Sequence, residues 1–193
     1  MIEGKDPIWE TDNYDVVLAG VSTYHRMTNG YLSKLRFKYP EAGEADRGTP
    51  YGDRNKLGTL VTAGENPVIC LMYVSGFPYG NRDSMDYGSV GKCLSLAAAR
   101  FRGKRIMSTI PGCTGLDGNA DRDRVMSLMK EAFRDTDVDV YDCRFVDRNE
   151  EMEAVRRRAR AAGFDGSQVK EILRKLYLIG NNGKTAAETE KKA

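Results

Sequence analysis

The chain has 193 residues, of which 40% are hydrophobic and 30% are charged, and 30 basic against 28 acidic residues leave a formal net charge of +2. This length fits one domain with an appendage, and the composition is that of an ordinary globular protein. The small net charge implies no global attraction to nucleic acid or to a membrane, so a nucleic-acid function would need a local basic patch.

Cysteine and histidine usage argues against a zinc site. Cys70, Cys93, Cys113 and Cys143 are widely spaced without a CxxC pair, and His25 is the only histidine. We expect Cys70 and Cys143 to behave as small buried hydrophobes, and we expect no metal and no cofactor. The sequence shows no N-terminal apolar segment of the secretory type and no run of about 18 apolar residues, so we expect a cytoplasmic, reducing setting without membrane contact.

The first part of the chain predicts an arm, a strand and a helix. Residues 1–13 are polar, and Trp9 is the expected anchor of this arm to the body. The apolar run at 15–21 predicts a strand that leads into a polar turn. Asn29 is a candidate N-cap for the next helix, which Pro40 is expected to stop.

The middle of the chain predicts a loop, a hairpin and a second helix. Residues 41–56 are polar and are expected to form a loop. The runs at 57–62 and 68–74 predict two strands joined by the turn at 64–67. Residues 87–102 place their apolar side chains on one helical face.

A short apolar run followed by a glycine-rich turn is the strongest candidate for a small-molecule site. Residues 104–110 suit a buried parallel strand, and residues 121–133 have the spacing of an amphipathic helix. Gly112, Gly115 and Gly118 lie between them and allow close backbone approach. A strand, a glycine turn and a helix N-terminus together suit an anion such as a diphosphate. The alternative is that these glycines serve only tight turns.

The order of elements predicts an α/β fold. With a further strand at 138–143, expected at an edge, the pattern β-α-β-β-α-β-α-β indicates a mixed sheet between helices. Because ligands of such sheets bind outside the carboxyl ends of strands, the loops after Val21, Val74 and Ile110 are expected to converge on one cleft.

The chain changes character beyond Cys143. Residues 147–162 and 167–178 predict two short helices, and residues 180–193 are expected to be a disordered tail. The first helix carries a cluster of arginines, Arg156, Arg157, Arg158 and Arg160. Such a cluster suits a phosphate backbone or an acidic partner surface, although a solvated helix face is the commoner explanation.

Residues 14–30, residues 39–42 with 52–59, and residues 110–118 are three stretches with a strand or glycine-loop pattern in a fixed order. Together they resemble the macro domain, and within it the ADP-ribose-glycohydrolase-like branch found in bacteria and phages. Residues 14–30 resemble that branch's first strand and glycine loop. Residues 39–42 with 52–59 resemble its helix exit and next strand, and residues 110–118 resemble its second glycine loop with one residue inserted. The resemblance covers residues 14–143.

The resemblance implies a three-layer α/β/α mixed sheet of the macro-domain type with a C-terminal helical extension. The expected divisions are an arm at 1–13, a macro-like domain at 14–145, the helical extension at 146–179 and the disordered tail at 180–193.

The resemblance also implies a cleft for ADP-ribose, with the diphosphate on the two glycine loops. By position, the ligand-binding residues are Ser22, Met27, Thr28, Asn29, Gly30, Phe77, Tyr79, Gly112, Cys113, Thr114, Gly115, Leu116 and Gly118. Asp117 lies where a catalytic aspartate occurs in the branch, where a carboxylate serves as general base or as stabiliser of an oxocarbenium ion. An acid just ahead of a helix is also favoured by the helix dipole.

Several residues depart from the branch. Ser22 stands where an asparagine is usual, Thr28 where a glycine is usual, and Asn29 where a small residue is usual. A lysine of the branch would fall near Ser84, which cannot replace it. These departures suggest a degenerate site.

Two functions from different classes follow. The first is recognition of ADP-ribose, a derivative of it or an ADP-ribosylated macromolecule, with or without hydrolase activity that removes ADP-ribose or processes an ADP-ribose phosphate. The alternative is a catalytically degenerate scaffold that serves as a structural or interaction protein, for example in a phage particle and hence in the virion, with the C-terminal extension as its contact surface. Nucleic-acid binding through the arginines is the weakest of the hypotheses.

Overall fold

A six-stranded mixed sheet forms the centre of the computed structural model, which describes residues 1–3, 6–28, 30–76, 85–112, 120–143 and 148–178. Its strands are β1 (Ile2–Glu3), β2 (Val16–Ser22), β3 (Leu60–Ala63), β4 (Val68–Ser75), β5 (Ile106–Thr109) and β6 (Val138–Asp142). The spatial order is β1-β6-β5-β2-β4-β3. Strands β3 and β4 pair antiparallel as the predicted hairpin, and the other neighbours pair parallel.

Helices cover both faces of the sheet. They are α1 (Gly30–Lys38), α2 (Pro40–Arg47), α3 (Tyr87–Arg100), α4 (Arg122–Ala132), α5 (Arg148–Ala161) and α6 (Gly166–Leu178). One apolar cluster joins the sheet to α3 and α4, and a second joins the opposite face to α1 and α2. The three-layer α/β/α arrangement that the sequence predicts is therefore confirmed.

Strand β2 is buried from both sides because it alternates between the two clusters. Val16 and Leu18 face α3 and α4, whereas Val17 and Ala19 face α1 and α2. Side chains of a strand point alternately to the two faces, so a strand covered on both faces must be apolar throughout. This explains the continuous apolar run.

The N-terminal arm contributes to the sheet, which corrects the prediction that the last strand lies at an edge. Ile2 pairs with Tyr141, so β1 forms the edge and β6 lies inside it. Asp142, which made β6 resemble a solvated edge, is fully buried, and its carboxylate accepts a hydrogen bond from Arg122 at 3.1 Å. A carboxylate that is hydrogen-bonded to an arginine can be buried, so the alternation of charged residues along β6 did not indicate an exposed edge strand.

The predicted loop at 41–56 is also wrong, because it contains α2 and a 3-10 turn at Arg54–Lys56. Pro40 stops α1 but occupies the first turn of α2, where a proline has no hydrogen bond to lose. Ala42 and Asp46 are among the buried positions of this otherwise polar helix. Because one buried position is Asp46, a charged residue, the buried face of α2 has no clear apolar pattern in the sequence, and the helix was not predicted.

The two predicted C-terminal helices are confirmed as α5 and α6, and they lie against the body. Val155 and Ala159 of α5 and Val169 of α6 are buried. The guanidinium of Arg158 lies 4.6 Å from the centre of the Trp9 ring, a cation–π contact. Trp9 thus joins the arm to the extension. The predicted tail, 180–193, lies outside the described residues, and within the described ranges no helix is long and apolar enough to cross a membrane.

Leu18→Ala should test the central position of β2. Leu18 is fully buried, so the substitution leaves a cavity and should lower the free energy of unfolding by about 2–5 kcal/mol. Leu96→Ala is the matched control, because Leu96 on α3 is 44% exposed and its loss should change stability by less than about 0.5 kcal/mol. Denaturant titration of both variants measures the difference; equal effects would contradict this description of the core.

Candidate functional site

Three neighbouring parallel strands direct their carboxyl ends toward one edge of the sheet. In the register of the sheet, Val21 of β2 pairs with Tyr73 of β4, and Leu18 of β2 pairs with Ser108 of β5. The backbone N–H of Thr23 donates to the carbonyl oxygen of Ser75 at 2.9 Å, which ties the first two outgoing segments together. The convergence of these carboxyl ends, expected from the sequence, is present.

Gly20 allows the third segment to approach. A Cβ at Gly20 would lie 3.0 Å from the Cβ of Pro111 and 3.1 Å from the Cγ2 of Val74. Side chains are rarely packed that closely, so a larger residue would push the segment after β5 away from β2. Because Gly20 has no side chain, the segment after β5 can pack directly against β2 at this edge.

Gly112 contacts two residues, Met85 and Ala120, that border two further segments of the chain. Its φ is 72°, a conformation that glycine adopts without strain. A Cβ there would collide with the Met85 methyl group and would lie 2.8 Å from the Cβ of Ala120. Met85 follows the segment at 77–84, and Ala120 follows the segment at 113–119. The described residues that flank both segments are therefore in contact.

The structure places five of the predicted ligand residues: Ser22, Met27, Thr28, Gly30 and Gly112. Ser22 is half-buried, and its hydroxyl accepts a hydrogen bond from the backbone N–H of Tyr24 at 3.2 Å. Met27 is 1% exposed and its side chain belongs to the apolar core, so only its backbone remains available to a ligand. Thr28 does not adopt positive φ. The residues near it that do are His25 and Gly30, at 51° and 52°.

The other predicted site residues lie outside the described residues. These are Asn29, Phe77, Tyr79, Ser84, Cys113, Thr114, Gly115, Leu116, Asp117 and Gly118. Their roles remain predictions.

A buried polar network borders the same edge, and sequence reasoning missed it. Asp46 on α2 is 1% exposed, and its carboxylate accepts a hydrogen bond from the Tyr73 hydroxyl at 2.7 Å. The Thr49 hydroxyl lies 3.1 Å from that of Tyr73 and donates to the backbone carbonyl of Asp46 at 2.7 Å. These contacts join α2 to the carboxyl end of β4.

Lys56 and His25 complete the network. The Lys56 side chain is buried, and its ammonium lies 4.5 Å from the centre of the Tyr73 ring. The ammonium donates to the Thr23 carbonyl oxygen and to the Thr49 hydroxyl, both at 2.9 Å, and lies 3.2 Å from Nε2 of His25. The network thereby fixes the segment that leaves β2.

The charges within the network partly compensate each other. Burial lowers the pKa of Lys56, and the nearby carboxylates of Asp46 and Asp53 act in the opposite direction. Burial also raises the pKa of Tyr73, so this hydroxyl stays protonated and remains a donor to Asp46. A buried cation is tolerated where acceptors and opposite charge surround it.

Aromatic side chains cover the outer side of His25. Tyr51 is 67% exposed, and its ring meets the His25 ring edge to face at 5.5 Å between centres. Tyr24 packs against Tyr51 in the same manner at 5.3 Å. The histidine is held between the exposed Tyr51 ring and the buried network.

Cys70 and Cys93 offer no thiolate nucleophile to the site. Burial raises the pKa of Cys70 and of Cys93 to about 12, so neither is a thiolate near neutral pH. Cys70 is buried as predicted, whereas Cys143 is only partly buried. Cys113 lies outside the described residues.

Comparison with known proteins identifies the fold. No protein-family model matches the chain, and no curated protein matches its sequence. Solved structures do match. A protein of unknown function from Bacteroides thetaiotaomicron has a TM-score of 0.57 at 20% identity, over 66% of this chain and 86% of that one. A macrodomain protein from Streptomyces coelicolor has a TM-score of 0.51 at 18% identity, over 66% and 86%.

A third match is to DarTG of Thermosipho africanus, whose structure contains ADP-ribose. Its TM-score is 0.54 at 13% identity, over 69% of this chain and 39% of that one. At these identities the likeness concerns the fold. The chain has a divergent macrodomain fold, as its sequence motifs indicated.

Tyr73→Phe should show what the network contributes to stability. The variant removes the donor to the buried Asp46 carboxylate, which should lower the free energy of unfolding by about 1–3 kcal/mol. Tyr51→Phe is the matched control: its hydroxyl belongs to an exposed side chain, so its loss should change stability by less than about 0.5 kcal/mol. If denaturant titration finds the two variants equally stable, the network does not stabilise the fold.

Proposed function

We propose that the protein binds ADP-ribose, or a molecule that contains it, at the carboxyl edge of β5, β2 and β4. The observation that carries this proposal is the meeting of three outgoing segments at that edge, with Gly112 in contact with Met85 and Ala120. In an open α/β sheet, ligands bind in the crevice outside the carboxyl ends of the strands. The macrodomain fold, shared with a DarTG structure that holds ADP-ribose, supports this ligand.

The diphosphate is assigned to the two glycine segments, 27–30 and 112–118. Helix α1 begins at Gly30, so its first backbone N–H groups and its dipole lie at the end of the first segment. Helix α4 follows the second segment and is capped by Asp121. Ser22, Phe77 and Tyr79 are assigned to the ribose side by their positions in the sequence.

The departures from the branch affect affinity more than geometry. Gly30 adopts positive φ, as does His25 ahead of the segment, whereas Thr28 does not, so Thr28 does not strain the backbone. Ser22 offers a hydroxyl in place of an amide and already accepts from Tyr24. Serine at this position therefore offers the ligand fewer hydrogen-bond donors than asparagine would, and we expect micromolar affinity for ADP-ribose.

Hydrolysis is the finer part of the proposal and depends on Asp117. A carboxylate beside the ribose would act as general base or stabilise an oxocarbenium ion. With serine at position 84, no lysine assists at that position, so we expect slow turnover.

The second candidate is a scaffold without ligand, in which the C-terminal extension contacts a protein partner, for example in a phage particle. The observation that favours it is the exposure of Arg157 and Arg160 on α5, a helix attached to the body through Trp9. The two candidates differ in one readout, because a scaffold does not bind ADP-ribose.

Gly112→Ala should weaken ADP-ribose binding at least tenfold in calorimetric titration, because the new methyl group displaces Met85 and Ala120. Gly103→Ala is the matched control. Gly103 also has positive φ, at 78°, but lies at the amino end of β5, where an added Cβ would meet nothing within 4 Å. Both variants carry a backbone strain of about 1–2 kcal/mol, but only the first should lose affinity. Absence of heat from the unaltered protein at millimolar ligand would favour the scaffold.

Asp117→Asn should separate binding from turnover. The amide is isosteric but cannot accept a proton, so release of ADP-ribose from an ADP-ribosylated protein or nucleic acid should fall at least a hundredfold, as for loss of a general base. Affinity for ADP-ribose should change less than threefold. Unchanged release by the variant would remove Asp117 from the mechanism.

A further inference from the structure

The Lys56 ammonium has three N–H donors, and each faces one acceptor. The Thr23 carbonyl oxygen and the Thr49 hydroxyl oxygen lie at 2.9 Å, and Nε2 of His25 lies at 3.2 Å. An ammonium has three donors and no acceptor, so these contacts use its full capacity. A lysine buried in this way is satisfied only if Nε2 accepts.

A ring nitrogen that accepts a hydrogen bond carries no proton. In a neutral imidazole the proton must then lie on the other nitrogen, Nδ1. The Thr49 hydroxyl, 3.1 Å from Nε2, donates its own proton to the Asp46 carbonyl oxygen at 2.7 Å, so it could only accept a proton from Nε2. That alternative would leave one N–H of the buried Lys56 ammonium without its acceptor, which costs more than the loss of a hydrogen bond between two neutral groups. A proton on Nε2 would point at the ammonium.

The remaining ring nitrogen belongs to a residue at the candidate site. His25 lies on the segment that leaves the carboxyl end of β2, two residues before Met27, and is half-buried. Its φ of 51° is unusual for a residue with a side chain, and such conformations persist where the surroundings hold them. Within the described ranges, the hydrogen bonds of this ring all involve Nε2.

We propose that Lys56 holds His25 as a neutral imidazole protonated on Nδ1, and that this N–H donates a hydrogen bond to an oxygen of the ligand at the carboxyl edge. The hydrogen bond from His25 to the ligand rests on the proposed function, and the oxygen that accepts it is one of a sugar diphosphate. His25 is then a binding residue and not a general base, because its only lone pair is engaged by Lys56. Lys56 is a positioning residue that acts through His25.

The sole histidine makes the tautomer directly measurable. In the full chain labelled with ¹⁵N, a long-range ¹H–¹⁵N spectrum contains one imidazole, and the two nitrogen shifts tell which nitrogen is protonated. We expect a protonated Nδ1 and a bare Nε2. Lys56→Met should abolish this preference, whereas Lys104→Met, at an exposed lysine before β5, should preserve it. A protonated Nε2 in the unaltered protein would overturn the proposal.

The ligand contact is tested in the same sample. Added ADP-ribose should shift the Nδ1 signal, and His25→Ala should weaken the calorimetric affinity about tenfold, as for one lost hydrogen bond to a charged group. A thermal melt of each variant separates loss of the contact from loss of folding.

The failures are distinguishable. If the unaltered protein gives heat with ADP-ribose but the Nδ1 signal does not move and His25→Ala binds equally well, the contact is wrong and the proposed function stands. If the unaltered protein gives no heat, the proposed function fails and the ligand contact fails with it. The spectrum of the free protein decides the tautomer in either case.

Discussion

Parallel pairing of β2 with both β4 and β5 is the constraint on which the rest of the molecule depends. Because β2 is apolar on both faces, it can lie only in the middle of a covered sheet. Parallel neighbours must then run in the same direction, which brings three carboxyl ends to one edge. Gly20 adds a local condition, since it lets Pro111 and Val74 close over β2. The place of this edge in the fold follows from these facts before any ligand is considered.

The network of Asp46, Tyr73, Thr49, Lys56 and His25 fixes one wall of that edge. A buried charge is costly unless it is fully hydrogen-bonded, and here each donor of Lys56 has an acceptor. The network joins α2, the 3-10 turn at Arg54–Lys56, β4 and the segment after β2. Removing one member leaves other polar groups buried and unpaired, so the wall behaves as a unit. The hydrogen bonds of the network therefore order this side of the edge without a ligand.

The sequence predicted the central architecture because apolar periodicity reports burial. Strands β2, β4 and β5 and helices α3 and α4 were visible in this way. Helix α2 was missed because Asp46, a carboxylate, occupies one of its buried positions. Strand β1 has two residues, too few for any period. Lys56 and His25 are 31 residues apart, and no local pattern marks a lysine whose acceptors come from other elements. The glycine segments were recognised by motif, and their described glycines, Gly30 and Gly112, both adopt positive φ.

The central claim is that ADP-ribose occupies the carboxyl edge, and hydrogen exchange with mass spectrometry tests it most directly. Saturating ADP-ribose should slow amide exchange in peptides that cover residues 22–30 and 110–120. It should leave the turns at the opposite edge, 64–67 and 102–104, unchanged, because they lie at the amino ends of β4 and β5. Unaltered exchange at 22–30 and 110–120 in the presence of millimolar ligand, or protection confined to the opposite edge, would contradict the account.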